Sequence, residues 1–326
     1  MRFTKSALCF AAAAAALALA APAFAAQPYP SRPIKLIVPF PAGGGPDMIA
    51  RELSTKVAAQ EGWTIVVDNR PGSGGNIGLD AAAKSAPDGY TLAMGQTSNM
   101  AINPSLYAKL PYNPQKDLAP IGLVASSPLA IAVASNSPYK SLKDILAAAK
   151  AQPESLYYAS SGSGTVAHLA TEQLQRIAQV KLTHVPYKGA AQGITDLLGG
   201  QIQLYVSSTV TLSPHIKNGK MRGLAVTSAK RTGDLPSVPT VAESGYPGFQ
   251  AVTWFGLVGP ANLPKDVIAK VNAAFNKALL SPDVRAKLVE QGADVLGGTP
   301  EQFAALLQDE TVRWAKVVKE SGAKVD

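Results

Sequence analysis

The stretch IKLIVPFPAGGGPD, residues 34–47, indicates how this chain folds. The apolar run Ile34–Val38 predicts a buried strand, and the glycines that follow predict a loop opening a helix over Asp47–Gln60. A second stretch, LYYASSGSGTVAH at residues 156–168, has the same order of strand, glycine loop and helix. Because backbone N–H groups at a helix start lie at the positive end of the helix dipole, each loop can bind an anion.

The first 25 residues predict a secretory signal peptide. A short basic start precedes the apolar run Ala7–Ala21, and Ala23-Phe24-Ala25 is an A-x-A cleavage pattern. We therefore expect cleavage near Ala25 and Ala26 and export of the mature protein. The one cysteine, Cys9, lies within this segment, so we expect neither a disulfide nor a lipid anchor in the mature chain.

Composition and motifs exclude several function classes. The net charge is +8, but the basic residues are scattered and form no stripe of the kind that binds nucleic acid. No GK[ST] sequence occurs, and the G-x-G-x-x-A match at residues 162–167 lacks the later acidic residue of a dinucleotide site. The three histidines show no metal-ligand spacing. We expect no nucleic acid, no cofactor and no metal.

Strand and helix patterns alternate along the chain and predict an α/β fold with mostly parallel sheets flanked by helices. Two irregular, proline-containing segments, 113–127 and 234–249, suggest that the chain crosses between lobes there. Lobe 1 would comprise residues 26–125 plus 250–326, and lobe 2 residues 126–249. The two glycine loops would then lie on opposite sides of one crevice, where α/β proteins bind ligands.

Some single residues allow two interpretations. Asp47 at a helix start is favoured as a cap or dipole partner that fixes the first loop. His168, one turn into the helix after the second loop, could face the crevice or be satisfied by a neighbour. Lys188, in Tyr187-Lys188-Gly189, could place a charge at the crevice mouth or be a solvated lysine.

Many short segments, in order and spacing, resemble the Bug-type solute receptors, the periplasmic binding subunits of tripartite tricarboxylate transporters. They run almost end to end: PIKLIVPF (33–40), GGGPD (43–47), NRPGSGGNIG (69–78), APDGYTL (86–92), INPSLY (102–107), HVPYKG (184–189), LLGG (197–200), LAVTS (224–228) and WFG (254–256). Each segment alone is weak, but their combination is specific.

The resemblance implies a two-lobed periplasmic binding protein fold (class II, Venus-flytrap) that closes on a small organic carboxylate: a mono-, di- or aromatic acid. In such receptors the two glycine loops hold one carboxylate, and a polar stretch that Thr97 and Ser98 match borders the pocket. Together with the single residues above, the candidate ligand-binding residues are Phe40, Ala42, Gly43, Gly44, Gly45, Asp47, Thr97, Ser98, Ser160, Ser161, Gly162, Ser163, Gly164, Thr165, His168, Tyr187, Lys188, Ser207 and Ser208.

One departure from the family concerns the ligand's far end. Many relatives have an Asp after the strand that ends near Val206, whereas this chain has Ser207 and Ser208. If that position faces the ligand, an amino-acid ammonium group would lose its partner.

The resemblance further implies a receptor without enzyme activity, a monomer that delivers its ligand to membrane permease subunits. Two alternatives stay open. One is a sensor subunit that presents ligand to a membrane kinase. The other is a secreted serine hydrolase that uses Ser161 or Ser163 with His168, although an acidic orienter is not evident.

Overall fold

The computed structural model describes residues 29–323 and 325, and the residues from Arg32 onward form one compact unit. The predicted signal peptide, residues 1–25, lies outside the described residues. Strands alternate with helices through most of the chain, as the sequence predicts. No helix within the described ranges is both long and apolar enough to cross a bilayer.

Ten strands are present in the described residues: β1 Ile34–Val38, β2 Ile65–Asn69, β3 Thr91–Gln96, β4 Leu118–Ala134, β5 Tyr157–Ser160, β6 Thr183–Pro186, β7 Leu204–Ser208, β8 Met221–Val226, β9 Val252–Pro260 and β10 Asp294–Val295. The helices are α1 Gly45–Glu61, α2 Asn76–Ala83, α3 Asn103–Leu106, α4 Leu142–Ala151, α5 Val166–Ala178, α6 Ala190–Leu198, α7 Thr209–Lys217, α8 Lys265–Leu279, α9 Pro282–Glu290 and α10 Pro300–Ser321. A 3₁₀ turn at Ser73–Gly75 precedes α2, and a π turn at Ser98–Ile102 precedes α3.

The sheet has two halves of similar construction. In the first, β2, β1 and β3 run parallel, and β9 joins β3 antiparallel. In the second, β6, β5 and β7 run parallel, and β7 pairs antiparallel with the end of β4. The loops at the carboxyl ends of β1 and β5 are the two glycine loops, so equivalent loops of the two halves face one site. This is the two-lobed α/β arrangement that the sequence predicts.

The long strand β4 joins the halves. Residues Leu118–Pro128 pair with β9, and residues Leu129–Ala132 pair with β7. The expectation of an irregular segment over 113–127 is wrong for most of its length, since strand structure begins at Leu118. Pro120, one of the prolines in this segment, lies with Gly122 at a register shift within the strand. Such bulges accommodate residues that a regular strand would not. The lobe boundaries at 125/126 and 249/250 stay a prediction.

Local signals explain the helix boundaries next to the site. Helix α1 begins after Gly44 with proline in its first turn and ends at Gly62, whose φ of +70° suits the left-handed position after a helix. Helix α4 begins with a capping box, in which Ser141 and Asp144 exchange hydrogen bonds. Such caps stabilise a helix by about 1 kcal/mol.

The last helix, α10, packs across β9 through a buried polar cluster. The Glu310 carboxylate accepts hydrogen bonds from the indole nitrogens of Trp254 at 3.2 Å and Trp314 at 2.9 Å. The Trp254 ring also meets Phe303 edge to face. The C-terminal helix therefore fixes the strand that pairs with β4, which stabilises the connection between the two halves.

Candidate functional site

A cavity of about 50 Å³ lies between the two halves of the sheet. One wall follows β1 and β3, the other follows β5, β6 and β7, and the floor comes from β4 and β9. The lining residues are Phe40, Pro41, Gly44, Gly45, Pro46, Gln96, Ser98, Leu129, Ser161, Thr165, Val166, Ala167, Gly189, Ala190, Ser207, Ser208, Thr211, Thr253 and Phe255.

Four helices begin at this cavity. Residues of the first turns of α1, α5, α6 and α7, or the residues just before them, belong to its lining. First-turn N–H groups have no acceptor within their own helix, and each helix start carries about half a positive charge. Helices α1, α6 and α7 also lack a side-chain cap hydrogen bond. The converging helix starts therefore give the cavity a positive potential.

Among the residues that the structure describes, none that lines the cavity is an Asp, Glu, Lys, Arg or His. Its polar side chains are the Gln96 amide and the hydroxyls of Ser98, Ser161, Thr165, Ser207, Ser208, Thr211 and Thr253. Hydroxyls and backbone amides can donate to an anion without bringing a charge of their own. The arrangement suits an anionic group and offers no carboxylate to a cation.

The first loop is held from behind by Asp47, which does not line the cavity. The buried carboxylate accepts hydrogen bonds from the Gly43 N–H at 2.9 Å and from Asn69 at 2.9 Å, and pairs with Arg51 at 3.0 Å. Burial acts to raise the pKa of Asp47, but these partners outweigh it and hold that pKa below 3.8. Asn69 also donates to the Phe40 carbonyl at 3.0 Å. Ala42 and Gly43 lie outside the lining, while Phe40, Gly44 and Gly45 belong to it.

Thr97 and Ser98, the two polar residues after β3, have different roles. Ser98 lines the cavity, whereas Thr97 is fully buried and its hydroxyl accepts a hydrogen bond from the Trp254 N–H at 2.9 Å. Thr97 thus ties the end of β3 to β9 and keeps Ser98 at the cavity wall.

The second loop contributes Ser161 and Thr165 to the cavity. The Thr165 side chain caps α5, and the Ser161 hydroxyl lies 3.2 Å from that of Tyr205. Gly162 and Ser163 instead line an adjoining cleft of about 190 Å³ together with Tyr187 and Lys188. Because Phe40 and Ser161 line both spaces, we interpret this cleft as the entrance to the cavity.

Three other predicted residues of this region point away from the cavity lining. Ser160 is buried against His184, Gly164 lies against α3, and His168 accepts a hydrogen bond from the Gly164 N–H at 3.3 Å. None of these three is part of the cavity lining.

The far wall connects the two halves directly. The Gly45 N–H at the start of α1 donates to Thr211 Oγ1 at the start of α7, at 3.2 Å. Thr211 Oγ1 also lies 3.1 Å from Ser208 Oγ. A Cβ at Gly45 would lie 3.0 Å from that same Ser208 oxygen, so a side chain there would require the Ser208 hydroxyl to move. Ser207 and Ser208 both line this wall.

Sequence reasoning missed Thr211, Ala190 and Phe255 because it missed the elements that position them. Thr211 and Ala190 belong to the short helices α7 and α6, and Phe255 to β9. The motifs Tyr187-Lys188-Gly189 and Trp254-Phe255-Gly256 had drawn attention to two of these places. The hydroxyl-rich residues 207–211, which follow a strand, were the sequence signal that could have indicated Thr211.

The family model described as the tripartite tricarboxylate transporter family receptor, TctC, matches residues 49–323. This chain belongs to the TctC family. The protein BugT of Bordetella pertussis (strain Tohama I) is 40% identical over 308 residues, which cover 94% of each chain. The resemblance to Bug-type receptors is therefore confirmed.

Solved structures agree with the TctC assignment. The structure of R. palustris Rpa4515 with adipate is 35% identical with a TM-score of 0.88, and the match covers 91% of this chain and all of that one. MatC (Rpa3494) from Rhodopseudomonas palustris with bound malate is 33% identical with a TM-score of 0.84, covering 89% and 100%. Solved relatives also include a periplasmic binding protein. The predicted two-lobed fold is thus confirmed.

Proposed function

We propose that this TctC-family receptor works in the periplasm, binds a small organic carboxylate between its lobes and delivers it to membrane permease subunits. The observation that carries this proposal is the meeting of four helix starts at a cavity lined by hydroxyls and free of charged side chains. Structures of relatives with adipate and malate support a carboxylate ligand.

Among carboxylates, acids without an amino group fit the cavity best. An ammonium group buried there needs an acidic partner, and the lining provides none. Ser207 and Ser208 present hydroxyls that can donate to a second carboxylate or to a hydroxyl of the ligand. We therefore propose a dicarboxylate or hydroxydicarboxylate rather than an amino acid.

The proposed mechanism is lobe closure on a monomer. The Gly45–Thr211 hydrogen bond joins the halves at one end of the site. Near the second loop, a Cβ at Gly74 would lie 2.9 Å from the Ser163 carbonyl oxygen. The Gly74 backbone therefore lies close to the Ser163 backbone. This approach and the Gly45–Thr211 hydrogen bond can both form only when the lobes are together. Closure excludes water, which strengthens hydrogen bonds from the fixed amides to the anion.

The geometry gives little support to the hydrolase alternative. Ser161 lies beside Tyr205, and His168 accepts a backbone hydrogen bond. The Ser160–His184 contact, 2.7 Å between Ser160 Oγ and His184 Nε2, is buried beneath the loop. Burial first, and proximity to His168 second, lower the pKa of His184 to about 3, which makes it a weak general base. We propose a receptor without catalytic activity.

The test is calorimetric titration of the protein without its first 25 residues against succinate, malate, adipate, citrate, benzoate and glutamate. We expect a dicarboxylate to bind and glutamate not to bind. Gly44→Leu should abolish binding. Gly44 has an ordinary φ of −82°, and a Cβ there would meet only ordinary contacts at 3.6 Å and beyond, so the backbone accepts the substitution. Because Gly44 lines the cavity, the leucine side chain should occupy space that the ligand needs. Gly233→Leu is the matched control, since a Cβ at this exposed glycine meets nothing within 4 Å.

Either of two results would contradict the proposed function: no carboxylate in the panel binds, or Gly44→Leu binds as tightly as the unaltered protein. Export is tested separately, by mass spectrometry of the protein recovered from the periplasm. We expect its N-terminus near Ala26, and a retained N-terminal segment would refute the predicted cleavage.

A further inference from the structure

Two stacked imidazoles lie under the second glycine loop, outside the cavity lining. The rings of His168 on α5 and His184 on β6 are 4.2 Å apart between centroids and 9° from parallel. The His184 ring also stacks on Tyr158 of β5, at 4.8 Å. The side chains of three neighbouring elements thus form one continuous stack directly behind the loop.

Each imidazole is hydrogen-bonded to the loop. The Gly164 N–H donates to His168 Nδ1 at 3.3 Å. His184 Nε2 lies 2.7 Å from Ser160 Oγ, and that oxygen accepts the Gly162 N–H at 3.2 Å and donates to the Gly162 carbonyl at 3.0 Å. One histidine therefore contacts the loop directly and the other through a serine hydroxyl.

The two glycines held in this way have unusual backbone conformations. Gly162 has a φ of +126° and Gly164 a φ of +79°, which residues with side chains rarely adopt. Glycine is also the residue with the greatest freedom to leave such a conformation. A loop built from two of them needs fixed partners if its N–H groups are to keep one direction.

We propose that His168 and His184 are positioning residues that hold the second glycine loop in its ligand-binding conformation before the ligand arrives. This inference rests on the proposed function, since it assigns a role to residues that act on the same site. Neither imidazole touches the ligand; each acts through the backbone of Gly162 or Gly164. A loop that is ordered in advance loses less conformational entropy on binding, which raises affinity.

The neutral state of both rings agrees with this role. His168 Nδ1 accepts a hydrogen bond, which it can do only when that nitrogen carries no proton. Burial lowers the pKa of His168 to about 4. Tyr158, whose ring stacks on His184, donates its hydroxyl to the Glu172 carboxylate at 2.6 Å. That carboxylate is therefore already hydrogen-bonded.

The test compares variants that keep or remove the hydrogen-bonding atoms. His168→Asn keeps an acceptor near Nδ1, whereas His168→Leu keeps apolar bulk without one. His184→Gln and His184→Leu form the matching pair. His215→Leu is the control, since this residue lies in the last turn of α7, away from the cavity lining. Hydrogen exchange of the 160–165 segment is measured without ligand, and affinity is measured for the tightest binder among succinate, malate and adipate.

We expect faster exchange in the loop and weaker binding for both Leu variants. His168→Leu should bind about tenfold more weakly, because it leaves the buried Gly164 N–H without an acceptor. His184→Leu should change both measurements in the same direction, because the Ser160 hydroxyl loses its contact with the imidazole. The Asn and Gln variants should stay within about threefold of the unaltered protein, because they restore the hydrogen bond. The proposal is overturned if the Leu variants keep loop protection and affinity, or if Asn and Leu at 168 are equally impaired.

Hydrogen exchange in the ligand-free protein separates this proposal from the proposed function. If no carboxylate binds even the unaltered protein, the proposed function fails. Exchange of the 160–165 segment still reports whether the histidines order the loop. If a Leu variant does not fold, the Asn and Gln variants provide the test, and loss of loop protection in both of them would overturn the proposal.

Discussion

Thr211→Val tests whether the contact between α1 and α7 contributes to ligand binding. Thr211 Oγ1 accepts the Gly45 N–H at 3.2 Å and lies on the wall of the cavity, 6% exposed. Valine has nearly the same shape but no acceptor, so the substitution removes the hydrogen bond with little change in packing. In the closed arrangement the Gly45 N–H would then be left without this partner.

The expected magnitude follows from the cost of an unpaired buried donor, about 1–3 kcal/mol. When the lobes separate, water can satisfy the Gly45 N–H, so the cost applies mainly to the closed, ligand-bound state. Since 1.4 kcal/mol corresponds to a tenfold change in affinity, binding should weaken about 5- to 140-fold. The Ser208 hydroxyl also loses its contact with Thr211, but it can rotate toward another partner, so this loss should not change the binding free energy further.

The assay is calorimetric titration with the best dicarboxylate, together with thermal unfolding of the ligand-free protein. Thr195→Val is the matched control, because Thr195 is exposed and its hydroxyl donates only within α6, to Ala191. We expect weaker binding by Thr211→Val and unchanged binding by Thr195→Val. Unchanged affinity in Thr211→Val would refute the reasoning that this contact stabilises the ligand-bound state.

Three further predictions concern the loops and the ligand. Asp47→Ala should weaken binding and lower the free energy of unfolding by about 2 kcal/mol, because it leaves the Gly43 N–H and Asn69 without their acceptor. Titration measures the affinity and chemical denaturation measures the free energy of unfolding. An unaltered affinity would show that Asp47 does not order the loop. The free energy of unfolding should fall as the pH drops from about 6.5 to about 4, because the unfolded chain protonates His168 in that range and the folded protein does not; the pKa difference corresponds to about 3 kcal/mol. His184, which contacts His168, adds to this fall, and His168→Leu should flatten it; an equally steep fall in that variant would contradict the assignment. Aspartate should not compete with the best dicarboxylate in a displacement titration, because the cavity lacks an acidic partner for its ammonium group, and efficient competition would contradict the proposed ligand class.

The regular βα units could be predicted from the sequence because several local signals agree there. The first unit combines an apolar run, a glycine loop, a proline in the first helical turn and a helix of 17 residues. The structure places strand β1 at Ile34–Val38, as predicted. Helix α1 begins two residues earlier than expected, at Gly45, and this small difference brings its first turn to the cavity.

The elements that the sequence did not predict, α6, α7 and β9, contain residues that disfavour their own secondary structure. Helix α7 contains Pro214 and several β-branched residues, and α6 contains Gly193. Strand β9 contains Gly256, where a Cβ would lie 2.2 Å from the Phe303 ring. Tertiary contacts therefore determine the structure of these segments even though their local sequence disfavours it. A pattern of neighbouring residues contains no information about such contacts.

The same reasoning explains why half of the site escaped prediction. The starts of α1 and α5 follow the two recognisable glycine loops, whereas the starts of α6 and α7 belong to helices with weak local signals. The indirect roles of Asp47 and His168 depend on contacts across loops. For Asp47 the favoured interpretation, a residue that fixes the first loop, agrees with the hydrogen bonds observed.

The most direct test of the carboxylate site compares each acid with its neutral amide. Succinate, malate and adipate are titrated beside their diamides, which have nearly the same length and shape without the charge. We expect the best acid to bind about 10- to 100-fold more tightly than its diamide, because hydrogen bonds to charged groups contribute about 1.5–3 kcal/mol. Equal binding of an acid and its diamide would contradict an anion site formed by converging helix starts.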